Sequence, residues 1–412
     1  MPFIVFAYVI LLVYGSLYPF DWTVPRAPLF SFIGAPWPAH LDKADVIQNV
    51  LVYMPFGLAT VLWLQKSRRF LPALVIATIA GTVISIIVET IQQYSASRNP
   101  SMVDVVINCA GSLAGGALAA LVSRETMSGR RLLALRDVWF VPGMLANIGL
   151  VAIVLWILSQ TTPLVPSLDI AHLRQGVGRL LRQLQNGDGI SMLKTVTYAC
   201  YIGGLALVCA TLRQPRKPAL LLFCGLVAAV LVAKLLIVGQ QLSVEAIAGA
   251  FAGLVIAAPF ARMDGKPAAI AGAALITIGF AVYELAPGTA IGMRSFNWLP
   301  FLGQMQNLSG LEDILDFLWP FVAIAYCVRL CTPEYRRVEI ALSGSVIVAL
   351  ALFFLEWNQQ SLQGRYGDVT QVLLGFAGWL VPWFAAQDER ASASPAAPLP
   401  VAARRNPGAS PR

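Results

Sequence analysis

The sequence predicts an all-α integral membrane protein with about twelve transmembrane helices, arranged as three parallel four-helix repeats. Of its 412 residues, 58% are hydrophobic and only 12% are charged, and the mean hydropathy is +0.71. Apolar runs near twenty residues in length recur along the chain, and one set of polar residues occurs twice, 267 positions apart. A chain with so little polar surface cannot cover a globule of this size in water, so the composition indicates a lipid environment.

Twelve apolar runs are each long enough to cross about 30 Å of hydrocarbon at about 1.5 Å per residue. They span residues 3–20, 44–65, 70–93, 104–123, 138–160, 191–212, 219–238, 243–261, 268–286, 311–330, 338–357 and 369–386. The first run has no Lys or Arg before it and no small-residue cleavage pattern after it. This predicts a retained helix rather than a signal peptide.

The distribution of Lys and Arg predicts the orientation of these helices. Nineteen of the twenty-nine cations fall in alternate loops and in the C-terminal tail, as is typical of the cytoplasmic side, so both termini are predicted to be cytoplasmic. The formal charge of +8 is explained by cations that mark the cytoplasmic side of the membrane. The sequence contains no phosphate loop and no basic stripe that would indicate a nucleic-acid partner. The tail 387–412, rich in Ala, Pro and Ser, is predicted to be disordered because it cannot bury enough apolar surface.

The repeated polar set lies between apolar spans, where two helices would meet water. Its members are Glu89, Gln92, Gln93, Arg98 and Gly111 in the first copy and Glu356, Gln359, Gln360, Arg365 and Gly378 in the second. Ahead of each set, Pro55-Phe56 aligns with Pro320-Phe321. The duplication predicts four-helix units at residues 1–123 and 268–386.

The residues between these two units indicate an eroded third copy at 138–261. Gln240-Gln241 is followed by Glu245, Gly249 and Gly253, much as Gln92-Gln93 is followed by Asp104, Gly111 and Gly115. A repeat with an even number of helices returns to its starting side, so the three copies are predicted to be parallel.

The set of Glu89, Gln92, Arg98, Asp104, Asn108 and Gly111, preceded by Asn49 and Pro55-Phe56-Gly57, resembles the VanZ-like family of small multipass envelope proteins. The resemblance covers about residues 8–122, with a degenerate match at about 283–386. In the degenerate match Gln371 replaces Asp104, Gly375 replaces Asn108, and an acid lies earlier, at Asp368. The resemblance implies the bacterial cytoplasmic (inner) membrane and a link to glycopeptide antibiotic resistance, and it implies no particular chemistry.

Helical spacing places polar residues of the third and fourth spans on two faces that could pack together. Thr78, Thr82, Ser85 and Glu89 fall along one line of the third span. Asp104, Asn108, Gly111 and Gly115 share a face of the fourth, where the two glycines would let a neighbouring backbone approach closely.

The candidate ligand-binding residues are Glu89, Gln92, Arg98, Asp104, Asn108, Glu356, Gln359, Arg365 and Asp368. In one interpretation they form a structural clamp that fastens a short outer loop. In another they line an outward-facing pocket, where Arg98 binds a phosphate or carboxylate through its planar fork. Acid or base catalysis by Glu89 or Asp104 is the third interpretation.

These residues favour a non-enzymatic envelope protein that binds a lipid headgroup, a lipid-linked precursor or a glycopeptide-type amphiphilic drug at its outer face. A secondary transporter of a small solute or lipid is the first alternative. An intramembrane enzyme acting on a lipid-linked phosphate is the second, although no Ser, His or Cys nucleophile joins the carboxylates in sequence. No cofactor is expected, and His40 and His172 have no ligands at metal-site spacing.

Two further features lie outside the repeated set. Residues 168–185 place leucines and arginines at helical spacing, which predicts an amphipathic helix on the outer membrane surface that is attracted to anionic headgroups. Lys234, a turn from the end of its span, is predicted to extend toward water, in the direction of Glu245.

Overall fold

The computed structural model describes residues 2–25, 28–38, 40, 43–167, 169–186, 189–263, 265–288, 295–304, 309–362 and 364–384. Within these ranges lie fourteen α-helices: α1 (Pro2–Leu17), α2 (Lys43–Leu64), α3 (Phe70–Gln92), α4 (Met102–Leu118), α5 (Met127–Trp139), α6 (Met144–Thr161), α7 (Ile170–Asn186), α8 (Met192–Leu212), α9 (Ala219–Leu236), α10 (Val244–Phe260), α11 (Gly265–Leu285), α12 (Ser309–Cys331), α13 (Arg337–Gln359) and α14 (Val369–Leu380). The tail that was predicted to be disordered lies outside the described residues.

The helices confirm a multipass all-α membrane protein. In the part of the chain that the structure describes, eight helices are long and apolar enough to cross a membrane, and four more are apolar but shorter. Each of the twelve predicted spans overlaps one of these helices. The grouping of the helices into three repeats of four stays a prediction.

One predicted span begins too early. The sequence predicted a helix over 138–160, but α5 ends at Trp139 and α6 begins at Met144. Pro142 has no backbone donor for a helix, and Gly143 takes a positive φ of 130° that breaks the helical path. The separate, polar α5 was not predicted, because its arginines were assigned to a loop.

Glycines bring the fourth helix of each predicted unit against the second. A Cβ atom on Gly111 of α4 would lie 2.6 Å from the Val50 carbonyl oxygen of α2. The same contact recurs at Gly249 of α10, 2.7 Å from the Thr195 oxygen, and at Gly378 of α14, 2.8 Å from the Leu318 oxygen. Gly111 and Gly115 of this α4 face therefore pack on α2, whereas Asn108 of the same face reaches Ser85 on the polar line of α3, the expected partner.

Helices α8 and α12 lie at the centre of the bundle. Helix α8 packs extensively on α10 and α11, and α12 packs on α6, α11 and α14. Helix α13, at the edge, instead exposes large apolar side chains such as Leu342, Ile347 and Phe354, as suits contact with lipid. Helix α12 is therefore largely enclosed by other helices, whereas α13 exposes apolar side chains on one side and buries its polar residues Glu356 and Gln359 against the bundle.

The ends of these helices define one face of the bundle, which we call the signature face. Here α1, α3, α6, α9, α11 and α13 end, and α2, α4, α8, α10, α12 and α14 begin. All nine predicted site residues lie at or within a few turns of this face, and α7 connects α6 to α8 there.

Candidate functional site

The N-terminal cluster is built where α3 ends and α4 begins. Glu89 Oε2 accepts a hydrogen bond from the Ser101 backbone amide at 2.8 Å, and Ser101 Oγ caps α4 by accepting from the Val103 amide at 3.1 Å. Gln92 Nε2 donates to the Ser16 carbonyl at 2.7 Å. These hydrogen bonds connect the end of α3 to α1 and to the start of α4. Both side chains are buried, where polar groups need such partners.

Arg98 is committed mainly to the backbone. Its Nε and Nη2 atoms donate to the Tyr18 carbonyl, at 3.0 and 2.8 Å, just beyond the end of α1. Arg98 attracts Glu89 electrostatically, but the described residues give it no ion pair within 4.0 Å. Asp104 instead accepts from Asn49 Nδ2 at 3.3 Å. The structure therefore gathers the predicted residues but does not pair Arg98 directly with either carboxylate.

Asn108 places a polar acceptor deeper in the cluster. Its Nδ2 donates to Ser85 Oγ at 2.9 Å, which joins α4 to the polar line of α3. Its Oδ1 has no hydrogen-bond partner among the described residues, although the side chain is only 4% exposed. A buried acceptor without a partner lowers the stability of the fold by about 1–3 kcal/mol. It would therefore gain stability from a donor on a ligand.

The C-terminal cluster repeats part of this arrangement 267 positions later. Glu356 Oε2 accepts from the Asp368 amide at 3.0 Å, and Asp368 Oδ1 caps α14 by accepting from the Thr370 amide at 2.8 Å. Asp368 thus occupies the capping position of Ser101 rather than that of Asp104. Gln371, the residue aligned with Asp104, brings its amide group to 2.9 and 2.5 Å from the two Glu356 oxygens.

The C-terminal cluster also contains an acid that the sequence analysis missed. Arg365 Nη1 lies 3.0 Å from Glu284 Oε2, and Gln359 Nε2 donates to the same oxygen at 2.6 Å. Glu284 is fully buried, and its Oε1 has no partner among the described residues. In the N-terminal cluster, the Ser16 carbonyl is the acceptor for Gln92. The available signal was an acid at the end of the first span of the unit.

A third cluster lies between the middle and C-terminal stretches. Gln240 Nε2 donates to the Thr162 carbonyl beyond α6 at 2.6 Å, as Gln92 does to the end of α1. Lys234 Nζ lies 3.3 Å from Gln240 Oε1 and 5.9 Å from the Tyr198 ring centre. The expected extension of Lys234 toward water and Glu245 is wrong, because the side chain is buried against Gln240 and its charged neighbours are Asp316 and Glu312.

Two acids of the central helix α12, Glu312 and Asp316, reach this third cluster, and neither was given a role in the sequence analysis. Asp316 lies near Ser159 and is attracted to Lys234, and Glu312 lies near Gln240. Asp313 lies beside Glu312 and is influenced by Asp368 of the C-terminal cluster. The sequence signal for these acids was their spacing within Leu311–Phe317. Acids at the start of a span are common where a helix meets water, so this spacing did not indicate a site.

Loops beside the N-terminal cluster are joined by Asp21, which lies outside the membrane-spanning helices. The Ser95 hydroxyl donates to Asp21, and this bond holds the pKa of that carboxyl below its usual value. Because the folded pKa is lowered, the bond stabilises the fold above the ordinary Asp pKa. That contribution is lost as the pH falls through the lowered pKa.

The described side chains of the three clusters supply hydrogen-bond donors, acceptors and charges. Within the described ranges, no group of three or more His, Cys, Asp or Glu side chains is arranged to hold a metal ion. Glu89 and Asp368 are engaged by backbone amides at helix starts. The arrangement is therefore suited to binding a polar group by hydrogen bonds and charge.

Comparison with known proteins identifies the N-terminal part of the chain. The family model described as VanZ/LLP1 matches residues 5–123, so this stretch is a VanZ-like domain. No curated protein and no solved structure matches the chain. The further copies at 138–261 and 268–386 stay predictions.

Proposed function

We propose that this multipass membrane protein with an N-terminal VanZ-like domain binds the polar head of an amphiphile at its signature face and does not catalyse a reaction on it. The ligand class is a lipid headgroup, a lipid-linked precursor or a glycopeptide-type drug. The protein would lie in the bacterial cytoplasmic membrane with both termini cytoplasmic, so that the signature face is the outer one. The carrying observation is the buried Asn108 acceptor, which has no hydrogen-bond partner among the described residues, in a cluster that also contains a partly exposed arginine, Arg98.

The arginine of the N-terminal cluster, rather than the overall charge of the face, favours a head that contains a phosphate or carboxylate together with hydroxyl or amine donors. Arg98 uses Nε and Nη2 on the Tyr18 carbonyl, and its Nη1 has no described hydrogen bond. A guanidinium nitrogen binds an anionic oxygen with a contribution of about 1.5–3 kcal/mol. A donor on the same head would satisfy Asn108 Oδ1. Arg98 lies in the loop between α3 and α4, and Asn108 lies within the first two turns of α4.

We expect Arg98→Gln to weaken binding of such a head by about tenfold or more, the effect of one lost charged hydrogen bond. The glutamine side chain can still donate to the Tyr18 carbonyl, so the loop beyond α1 keeps an anchor. Purified protein in nanodiscs would be titrated with a polyprenyl phosphate, phosphatidylglycerol and a glycopeptide, and the dissociation constants measured.

Arg68→Gln is the matched control for this titration, because Arg68 is exposed and lies at the opposite end of the bundle. It removes the same charge and should leave binding unchanged. Equal affinities of the wild-type and Arg98→Gln proteins for every probe would reject the proposal. So would a complete lack of binding by the wild-type protein.

Transport is a second candidate, favoured by the charged pair inside the bundle. Lys234 and Asp316 attract one another within helices α9 and α12, and intramembrane charges of this kind often mark an ion or substrate path. If the protein transports a small solute or lipid, we expect Asp316→Asn to abolish the flux of that molecule in proteoliposomes. Asp45→Asn, at an exposed site, should leave the flux unchanged. Flux that is unchanged by Asp316→Asn would exclude this role for the pair.

A further inference from the structure

Helix α7 and the start of α10 enclose a second polar site, separate from the three clusters above. A cavity of about 240 Å³ is lined by Arg179, Arg182, Gln183 and Asn186 of α7 and by residues 241–243 before α10. Gln183 Oε1 accepts from the Val244 amide at 3.3 Å, which holds α7 against α10. The two arginines therefore face a recess whose other wall is the beginning of a helix.

The charge of this recess is not balanced by its own lining. Helix α7 contains three arginines and no acid, and the described lining residues of the cavity include none. The nearest acid of α10, Glu245, is turned inward, where it is 3% exposed and bonds to the Ser191 amide. Among the described residues, the hydrogen bond of Arg182 is from its Nε to the Gly178 carbonyl of its own helix, at 3.2 Å. Both guanidinium groups thus retain donors for an anion.

The opposite side of α7 is apolar and exposed, as expected of a helix that lies on a membrane surface. Val177, Leu181 and Leu184 follow steps of three and four residues and share one face, and none of them is covered by the bundle. Arg179, Arg182 and Asn186 share another face by the same spacing. The structure confirms the predicted amphipathic helix, at the end of the bundle where the spans meet the membrane boundary.

We propose that this recess binds the headgroup of an anionic phospholipid, with the phosphate held by Arg179 and Arg182 and the acyl chains lying beside the apolar face of α7. Two arginine forks match the oxygens of a phosphodiester, and Asn186 and Gln241 provide amide groups for the rest of the headgroup. A lipid satisfies the charged recess and the uncovered apolar face together. A small soluble anion would satisfy only the recess.

The test is hydrogen–deuterium exchange of α7 in the full-length protein, since this readout is local to the site. In nanodiscs of equimolar phosphatidylglycerol and phosphatidylcholine, the α7 amides should exchange about tenfold more slowly than in pure phosphatidylcholine, given two basic contacts to an anionic lipid. The Arg179→Gln/Arg182→Gln protein should lose this protection. Arg174→Gln, which removes a charge from the same helix outside the cavity, should keep it.

Three results would overturn the assignment. One is equal exchange of α7 in the two lipid compositions, and another is an equal loss of protection in the Arg174→Gln protein. The third is full protection by inorganic phosphate in phosphatidylcholine discs, which would make the ligand a free anion rather than a lipid. The Arg98→Gln protein should retain the α7 protection, so failure of this proposal and failure of the proposed function are separable.

Discussion

Arg365→Ala is expected to lower the free energy of unfolding by about 3 kcal/mol, because removing one partner of a buried ion pair leaves the other uncompensated. Glu284 is fully buried and takes hydrogen bonds from Arg365 and Gln359 on a single oxygen, with its second oxygen already lacking a described partner. Without Arg365, the buried carboxylate must remain charged with only an amide donor or take up a proton. Reversible denaturation in mixed detergent micelles measures the loss.

Two controls separate the ion pair from the rest of the side chain. Arg98→Ala removes the aligned arginine of the N-terminal cluster, which bonds to a carbonyl, and should cost about 1 kcal/mol. The Glu284→Gln/Arg365→Ala protein removes both charges and should recover much of the stability lost in the single variant. Equal losses for the two arginine variants, or no recovery in the double variant, would contradict the buried-pair interpretation.

Gly115→Leu is expected to destabilise the N-terminal unit by about 2–3 kcal/mol, because it overpacks a contact between two backbones. A Cβ atom on Gly115 would overlap the Met54 carbonyl group of α2, and Met54 lies in the middle of a continuous helix that cannot move aside locally. The two helices would have to separate along their contact. The same denaturation measurement detects the loss.

Gly225→Leu is the matched control for this substitution. Gly225 lies in α9, is exposed, and would place its Cβ within 4 Å of no neighbouring atom. Leucine there should leave stability unchanged or raise it by up to about 1 kcal/mol, because leucine favours helix over glycine. If Gly115→Leu were as stable as Gly225→Leu, the close α2–α4 contact would not exist in the folded protein.

The sequence predicted which polar residues would lie together but not their hydrogen-bond partners. The duplicated Glu, Gln and Arg residues were expected at the ends of spans, and Glu89 and Glu356 both lie there, each accepting from the amide of a helix start. The partners of Gln92, Gln240 and Gln359 come from the ends of α1, α6 and α11, which are distant in sequence. No local pattern could indicate those contacts.

The same limit explains two findings that spacing did not give. The sequence placed Asp368 earlier than the position of Asp104 without a role, and the structure makes it the α14 cap, aligned with Ser101. The face of Asn108, Gly111 and Gly115 was expected to meet α3, and Asn108 does reach Ser85 there, but the two glycines contact α2. Spacing within a helix identifies a face, and it does not identify the neighbour that the face meets.

The amino-acid sequence by itself determined the lipid environment, the twelve apolar spans and the polar and apolar faces of α7. Hydrophobic length and periodicity are properties of short segments, so the sequence is sufficient to predict them. Tertiary structure alone decided that Glu284 pairs with Arg365, that Glu312 and Asp316 lie near Lys234, and that Arg179 and Arg182 share a recess with the start of α10. These contacts join segments far apart in the chain. They depend on how helices pack, and the need to satisfy buried polar groups then selects which side chains meet.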